Sequence, residues 1–263
     1  MPARLKFGVD SAVIYAAGRA TRLGPSFANT PKILLPVAGR SLLDRHAENL
    51  AAVGVKNLFL VTGHCRDQLA AVIPEISARH GIRIYELHNP DFTEGSAISM
   101  HVSLAVIEPA AQSLLVMDGD VLYGPDLLRH LIDSPAPTTM LVDFGVEAQD
   151  DDPVLVPIRN GRPFDLVKKW TGNADRVGES VGFFKIAAEH LPFLAAQTRA
   201  RTIGIHRRES LDEVLRAMTV AGLFHFEDVT GQPWTEIDFP HDVAYARDVI
   251  MPALAAARTR LNA

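Results

Sequence analysis

The chain has 263 residues, of which 48% are hydrophobic and 22% charged, enough to build a large buried core in a soluble protein. Its formal net charge of −5 argues against a nucleic-acid-binding protein, and no apolar run approaches the roughly 18 residues of a membrane helix. The first apolar run is too short for a secretion signal, so we expect a cytoplasmic protein without a membrane partner.

The first half alternates strand-like and helix-like segments. Apolar runs predict strands at 11–17, 57–63, 82–88 and 113–121. Apolar residues at three- and four-residue spacing predict helices at 41–54, 66–81 and 96–107. This order predicts an α/β fold with a single Rossmann-like, mostly parallel sheet that is flanked by helices.

From about residue 137 the pattern changes to short strand candidates without intervening helices. These candidates are TTMLVDFG, PVLVPIR, FDLVKKW and ESVGFFKI, and later GLFHFEDV and WTEIDF. Helices are predicted at 187–199, 209–220 and 240–260, and the acidic run 147–153 is predicted to be a solvated loop. We therefore expect one domain over 1–263, with a mostly parallel first half (about 1–136) and a more antiparallel second half (about 137–263) that makes the sheet mixed.

The loop after the first predicted strand is rich in glycine and cations. Arg19, Arg22 and Lys32 lie within fourteen positions of one another. Ligands of an open parallel sheet bind beyond the carboxyl ends of its strands, so the loop is placed to hold a small anion. Neither G-x-x-x-x-G-K-[ST] nor G-x-G-x-x-G fits this stretch, which excludes two common phosphate loops.

This loop resembles the signature of nucleoside-triphosphate-dependent nucleotidyltransferases, the family of the sugar-nucleotide pyrophosphorylases. YAAGRATRL (15–23) is similar to the family pattern A-A-G-x-G-[TS]-R-[LM], and TPKILLPVAGR (30–40) is similar to P-K-x-L-x-P-[VI]-x-G-[KR]. Ala20 departs from the usual glycine. The resemblance implies a fold of the nucleotide-diphospho-sugar transferase type, with a nucleotide-binding half at about 1–136 and an acceptor-binding half at about 137–263.

Further segments extend the resemblance along nearly the whole chain. NPDFTEGSAISM (89–100) resembles the base-recognition loop, LLVMDGDVLY (114–123) the acidic metal-binding turn, and GESVGFFKI (178–186) the strand that lines the acceptor pocket. PWTEIDFPHDVAYA (233–246) is similar to the W-x-E-I-D segment of phosphocholine and phosphonate cytidylyltransferases. The closest subgroup is therefore the one that transfers CMP from CTP to a phosphorylated or phosphonylated amino-alcohol and releases pyrophosphate.

The resemblance implies a Mg²⁺ cofactor held by Asp120 and Asp238, with Asp118 as a support, and catalytic roles for Arg22 and Lys32. A divalent ion and fixed cations suit this reaction because it brings two polyanions together. The resemblance assigns nucleotide contacts to two segments, formed by Ala16, Ala17, Gly18, Arg19 and Ala20, and by Glu94, Gly95 and Ser96.

The acceptor is expected to meet Lys168 or Lys169, and Glu179 is expected to pair with its polar group. Neighbouring residues of a strand point to opposite faces, so the sequence does not choose between the two lysines. Trp170 and Trp234 could form an aromatic wall for an ammonium group, although core packing is the commoner role of tryptophan.

Three alternatives stay open at this point. The protein could instead be a sugar-1-phosphate nucleotidyltransferase that uses UTP, GTP or dTTP. It could be a glycosyltransferase with an acidic D-x-D turn, although that class does not explain TPKILLPVAGR. It could also be a non-catalytic nucleotide-binding module. The sequence also leaves a homodimer open.

Overall fold

The computed structural model describes residues 5–7, 11–109, 113–145 and 152–261 of the chain. The strands within these ranges are β1 (Leu5–Phe7), β2 (Ser11–Ala16), β3 (Pro36–Val37), β4 (Arg40–Ser41), β5 (Asn57–Thr62), β6 (Arg83–His88), β7 (Ile107–Pro109), β8 (Leu114–Asp118), β9 (Val121–Tyr123), β10 (Thr139–Asp143), β11 (Leu155–Arg159), β12 (Arg162–Pro163), β13 (Arg176–Ile186), β14 (His225–Asp228) and β15 (Trp234–Glu236). The α-helices are α1 (Leu42–Ala52), α2 (Arg66–His80), α3 (Ala97–Leu104), α4 (Pro125–Asp133), α5 (Leu191–Ala200), α6 (Leu211–Val220), α7 (Pro240–Tyr245) and α8 (Met251–Leu261).

The main sheet is mixed, as predicted. Its strand order is β12-β11-β13-β8-β2-β5-β6, and β10 pairs with both β13 and β14. Strands β8, β2, β5 and β6 run parallel, whereas β13 runs antiparallel to β8, β10 and β11. The parallel first half and the more antiparallel second half are thus confirmed.

Helices cover both faces of the sheet because its strands are apolar on both sides. Successive strand residues point to opposite faces, and in β2 Ala12 and Ile14 enter one buried apolar cluster while Val13 enters the other. Helices α1 and α2 contribute to the first cluster, and α3, α5 and α6 contribute to the second. No helix in the described ranges is long and apolar enough to cross a membrane.

Two of the predicted elements differ from the structure. The predicted helix 96–107 ends at Leu104, and its last residues form β7, which pairs in parallel with β1. The stretch FDLVKKW is not a strand, since only Val167 bridges Leu155 there. The Asp165 side chain accepts the N–H of the following residue and pairs with Arg216 of α6, which holds this stretch in a non-strand course. Neither long-range contact can be deduced from local periodicity.

Candidate functional site

A cavity of about 400 Å³, called here the loop cavity, lies beyond the carboxyl ends of β2 and β8. Its lining comes from four separate stretches of the chain: Tyr15, Ala16, Gly18, Arg19, Ala20, Thr21, Arg22, Lys32, Ile33, Gly119, Asp120 and Asp238. Most of the residues that the sequence assigned to the nucleotide and the metal therefore meet in one place. Ala17 is 6% exposed and is not among the described lining residues.

A two-stranded ribbon brings Asp238 to Asp120. Strand β15 pairs antiparallel with β9, with Trp234 opposite Tyr123. Beyond this pairing the Ile237 backbone N–H donates to the Asp120 carbonyl at 3.1 Å. The two acidic residues are far apart in sequence, and the ribbon holds them next to each other.

The cations of the loop contact both acids. The Lys32 ammonium donates to Asp120 Oδ2 at 2.6 Å and also to Asp238 Oδ1. Arg22 donates to the other oxygen of Asp238 at 3.3 Å. Two carboxylates that converge on one cationic atom form an oxygen donor set of the kind that suits Mg²⁺.

The two acids of the MDGD turn differ in their electrostatics. Burial and the nearby Asp120 charge raise the pKa of Asp118 well above its ordinary value. Burial also acts to raise the pKa of Asp120, but the charge and hydrogen bond of Lys32 outweigh it and hold this pKa below its ordinary value. Burial acts to lower the pKa of Lys32, whereas the two carboxylates raise it overall. Asp120 is thus the acid of this turn that is held charged.

The Asp118 carboxylate lies against strand β13. A Cβ added at Gly182 would lie 2.3 Å from Asp118 Oδ2, and Gly182 has a φ of +77°. Only glycine fits both conditions at this position. This contact gives a physical reason for the glycine in GESVGFFKI, a segment that the sequence had linked only to the acceptor.

A buried histidine of α1, His46, hydrogen-bonds to the backbone of the MDGD turn. Burial lowers the pKa of His46 to about 4, so its ring is neutral at pH 7. With its proton on Nε2, the ring donates to the Gly119 carbonyl (3.3 Å) and accepts from the Tyr123 hydroxyl (3.1 Å). Sequence reasoning missed His46, because nothing near it in the sequence indicates that α1 packs against the MDGD turn.

The signature loop requires an unusual backbone at Ala20. This residue has a φ of +52°, in the left-handed region, and it caps a single helical turn that contains Arg22. Glycine reaches this region without a steric penalty, whereas a Cβ costs about 1–2 kcal/mol. The structure thus explains why the family pattern has glycine where this chain has Ala20.

We expect Ala20→Gly to stabilise the protein by about 0.5–1 kcal/mol, since relief of the Cβ penalty exceeds the extra backbone entropy of glycine. Urea unfolding measures this effect. Ala71→Gly is a matched control, because Ala71 is exposed within helix α2 and its replacement should destabilise by about 1 kcal/mol. Equal losses of stability in the two variants would contradict the assigned backbone strain.

The predicted base-recognition residues lie outside the lining of the loop cavity. Glu94 pairs with Arg207, the Gly95 N–H donates to the Arg207 carbonyl at 2.7 Å, and Ser96 Oγ accepts the Leu211 N–H at 2.8 Å. A Cβ at Gly95 would lie 2.1 Å from the Glu209 carbonyl oxygen, so this close approach requires glycine. The segment 207–211, which leads into α6, therefore holds the conformation of this loop.

The two candidate acceptor lysines differ in their contacts. Lys168 donates to the Asp152 carbonyl at 2.7 Å and lies 3.3 Å from its carboxylate, which in turn accepts from Arg22 at 3.0 Å. Lys169 is exposed. Asp152 belongs to the acidic run 147–153, which was predicted only to be a solvated loop. Residues 147–151 of that run lie outside the described residues.

Glu179 lies in a second and larger cavity of about 860 Å³, called here the acidic cavity. It is lined by Asp143, Gly145, Glu179, Thr230, Gly231, Gln232, Pro233, Trp234, Thr235, Glu236, His241, Asp242, Tyr245, Ile250 and Ala253. Four of these described residues are acidic and none is lysine or arginine. Such a lining favours a cationic group over a phosphate.

The acidic cavity is fixed by hydrogen bonds and adjoins the loop cavity. Trp234 Nε1 donates to Asp143 Oδ2 at 2.8 Å, which holds the indole against the acids. The Asp238 N–H donates to Asp242 Oδ2 at 2.8 Å, and these two residues line different cavities. Trp170 lines neither cavity among the described residues and packs edge-on against Phe164.

Known proteins are similar to this chain in sequence. A family model described as "MobA-like NTP transferase domain" matches residues 12–258. The chain is 34% identical over 125 residues to the CMP-5'-(3-aminopropyl)phosphonate synthase of Streptomyces rubellomurinus. The aligned residues make up 47% of this chain and 19% of that relative. It is also 28% identical over 248 residues to the bifunctional IPC transferase and DIPP synthase of Rubrobacter xylanophilus. That alignment covers 93% of this chain and 52% of that relative.

A solved structure confirms the fold. The inositol-1-phosphate CTP transferase from T. maritima superposes with a TM-score of 0.76 at 18% sequence identity, over 94% of this chain and 95% of that chain. The chain spans about half the length or less of the two curated relatives named above.

Proposed function

The chain belongs to the MobA-like NTP transferase domain family, and on that premise we propose that it transfers CMP from CTP to a small amine-bearing phosphate or phosphonate. One observation supports this proposal most strongly. Arg22 and Lys32 converge with Asp120 and Asp238 at the end of a parallel sheet, where a triphosphate and a divalent ion can be held together.

The reaction needs no protein nucleophile. An anionic phosphate or phosphonate oxygen of the acceptor attacks the α-phosphorus and forms a new P–O bond. The bond from the α-phosphorus to the bridging oxygen of the β-phosphate breaks, and pyrophosphate leaves with the electron pair. The protein has to bring together two anions and to stabilise the added negative charge on the α-phosphate.

The residues of the loop cavity fit these tasks. Arg22 has its planar donors within reach of the cavity and can contact two phosphate oxygens at once, whereas Lys32 provides a point charge. The donors of Arg22 are held in place by Asp152 and Asp238. Because they are oriented before any phosphate binds, little reorganisation is needed in the transition state.

Asp120 and Asp238 are the residues that would hold Mg²⁺. Their carboxylates reach one common point, and oxygen-only donors match the preference of this ion, which takes its other ligands from phosphates and water. When bound, Mg²⁺ supplies additional charge stabilisation at the phosphates. Asp118 is a poorer candidate, because burial and the nearby Asp120 charge raise its pKa and so disfavour its charged form.

CTP is the favoured donor. Two of the compared proteins are named for CMP or CTP, the phosphonate synthase and the inositol-1-phosphate transferase. In this chain the loop from Glu94 to Ser96 is the candidate for base recognition, with its backbone held by the 207–211 segment. Pyrophosphate release should be fastest with CTP when the four nucleoside triphosphates are compared at equal concentration.

The acidic cavity supports an amine-bearing acceptor. Glu179 is 4% exposed and lies with Asp143 and Trp234 in a lining without lysine or arginine among the described residues. A carboxylate paired with an ammonium in a largely desolvated site is worth more than the same pair in water. The ammonium would enter this cavity while the phosphate or phosphonate end, with Lys168 or Lys169 as candidate contacts, faces the loop cavity.

We expect Glu179→Gln to raise KM for an aminated acceptor about ten-fold, since a charge-assisted hydrogen bond of about 1.5–3 kcal/mol is lost, and to leave KM for CTP nearly unchanged. Steady-state kinetics with 2-aminoethylphosphonate, whose primary ammonium can donate this hydrogen bond, measure both constants. Glu75→Gln is a matched control, because Glu75 is a 72%-exposed helix residue paired with Arg79. An equal rise of KM for CTP and for the acceptor would oppose the assignment of Glu179.

A further inference from the structure

The loop cavity has a feature that the reaction alone does not require. Three of the four carboxylate oxygens of Asp120 and Asp238 bond to cations of the same chain. Lys32 donates to one carboxylate oxygen of each acid, and Arg22 donates to the second oxygen of Asp238. The oxygens that suit a divalent ion are therefore already neutralised by the signature loop.

Lys32 and Arg22 are not equivalent in this arrangement. The Lys32 side chain is 16% exposed and contacts both acids, so its ammonium lies at the point where the two carboxylates converge. Arg22 is 49% exposed, bonds Asp152 as well, and has its guanidinium carbon 5.8 Å from the centre of the Phe239 ring. Lys32 is thus the residue whose charge occupies the position between the two acids.

A divalent ion and this ammonium are alternatives for the same oxygens. Two cations within a few ångströms of each other repel strongly in a partly buried site, and each needs the same lone pairs. The lysine side chain is flexible and has three donors, so it can turn to other anionic oxygens when these are supplied. A triphosphate in the loop cavity supplies them.

We propose that Lys32 is a built-in counter-ion that keeps the Asp120–Asp238 pair closed to divalent ions until a triphosphate draws its ammonium away. Lys32 then changes partner from carboxylate to phosphate, which frees both carboxylates. Metal and nucleotide consequently bind with positive coupling, and each strengthens the other by the same factor. The inference rests on the proposed function only in taking a triphosphate as the incoming anion.

The test is Mn²⁺ binding to the full chain by calorimetry, with no nucleotide or acceptor present. Lys32→Met keeps the length of the side chain and removes its charge, and it should bind Mn²⁺ at least about ten-fold more tightly than the unchanged protein. Adding Asp120→Asn to this variant should abolish the gain. The rise in Tm on adding Mn²⁺ should also be larger for Lys32→Met, and Lys32→Gln replaces it if the methionine variant does not fold.

Two controls separate competition from a general loss of positive charge. Lys56→Met removes the same charge at an exposed residue before β5, at the opposite edge of the sheet, and should leave Mn²⁺ affinity unchanged. Arg22→Met removes a charge within the site but not from between the two acids, and should give a smaller gain than Lys32→Met. Equal affinities in the unchanged protein and Lys32→Met, or equal gains in Lys32→Met and Arg22→Met, overturn the proposal. Because no nucleotide is present, either failure leaves the proposed reaction intact.

Discussion

Asp120→Asn and Asp238→Asn are each expected to lower kcat by about a thousand-fold, because metal-based charge stabilisation contributes several kcal/mol and each 1.36 kcal/mol is a factor of ten. Each change keeps the shape of the side chain and removes one charged ligand. Pyrophosphate release at a series of Mg²⁺ concentrations measures the effect. The variants should also need more Mg²⁺ for half-maximal rate.

Asp248→Asn is the matched control for these variants. Asp248 is 57% exposed on the C-terminal helical segment and pairs with its neighbour Arg247. It should retain the rate of the unchanged protein. Rates near that of the unchanged protein in both Asp120→Asn and Asp238→Asn, with no shift in the Mg²⁺ requirement, would contradict the metal-site assignment.

Lys32→Ala and Arg22→Ala are expected to lower kcat/KM by about 10²–10³, the range found when one preorganised donor to a developing anion is removed. The two variants should differ in stability. Arg22 is 49% exposed, so its loss should change the free energy of unfolding by only about 0.5 kcal/mol. The Lys32 side chain is 16% exposed and lies between two carboxylates. Its loss should therefore lower the free energy of unfolding by more than the loss of Arg22 does.

Urea unfolding and steady-state kinetics on the same preparations separate the two effects. A folded Arg22→Ala protein with full kcat/KM would remove Arg22 from the proposed site. Lys56→Ala serves as the charge control, since Lys56 is exposed and lies at the amino end of β5.

Much of the fold could be predicted because local signals agree with the final structure. Strand β2 is an apolar run buried on both faces, and helix α1 begins with Ser41 as a cap that accepts the Asp44 N–H, in agreement with the predicted helix at 41–54. The misplaced end of α3 and the missing strand at FDLVKKW have one cause. Their conformations depend on β1 and on Arg216, which are distant in sequence.

The candidate site likewise contains some residues that could be predicted from local sequence and others that could not. Arg22, Lys32, Asp120 and Asp238 could be grouped from motifs, because each motif is a contiguous stretch of sequence. Asp152 could not, since its contacts with Arg22 and Lys168 join three segments.

The acidic cavity also could not be predicted from the sequence. Asp143 faces Glu179 only through the antiparallel register of β10 and β13, and the cavity also needs the ribbon of β9 and β15. A pairing register between distant strands leaves no local signature. The roles of all these residues stay predictions.

The most direct test of the proposed function is a comparison of kcat/KM for acceptors with CTP as donor, followed by pyrophosphate release. We predict that 2-aminoethylphosphonate or phosphocholine exceeds glucose 1-phosphate and mannose 1-phosphate by at least about ten-fold, because four of the described residues that line the acidic cavity are acidic and none of them is lysine or arginine. Faster turnover of either sugar phosphate would contradict the proposed acceptor class.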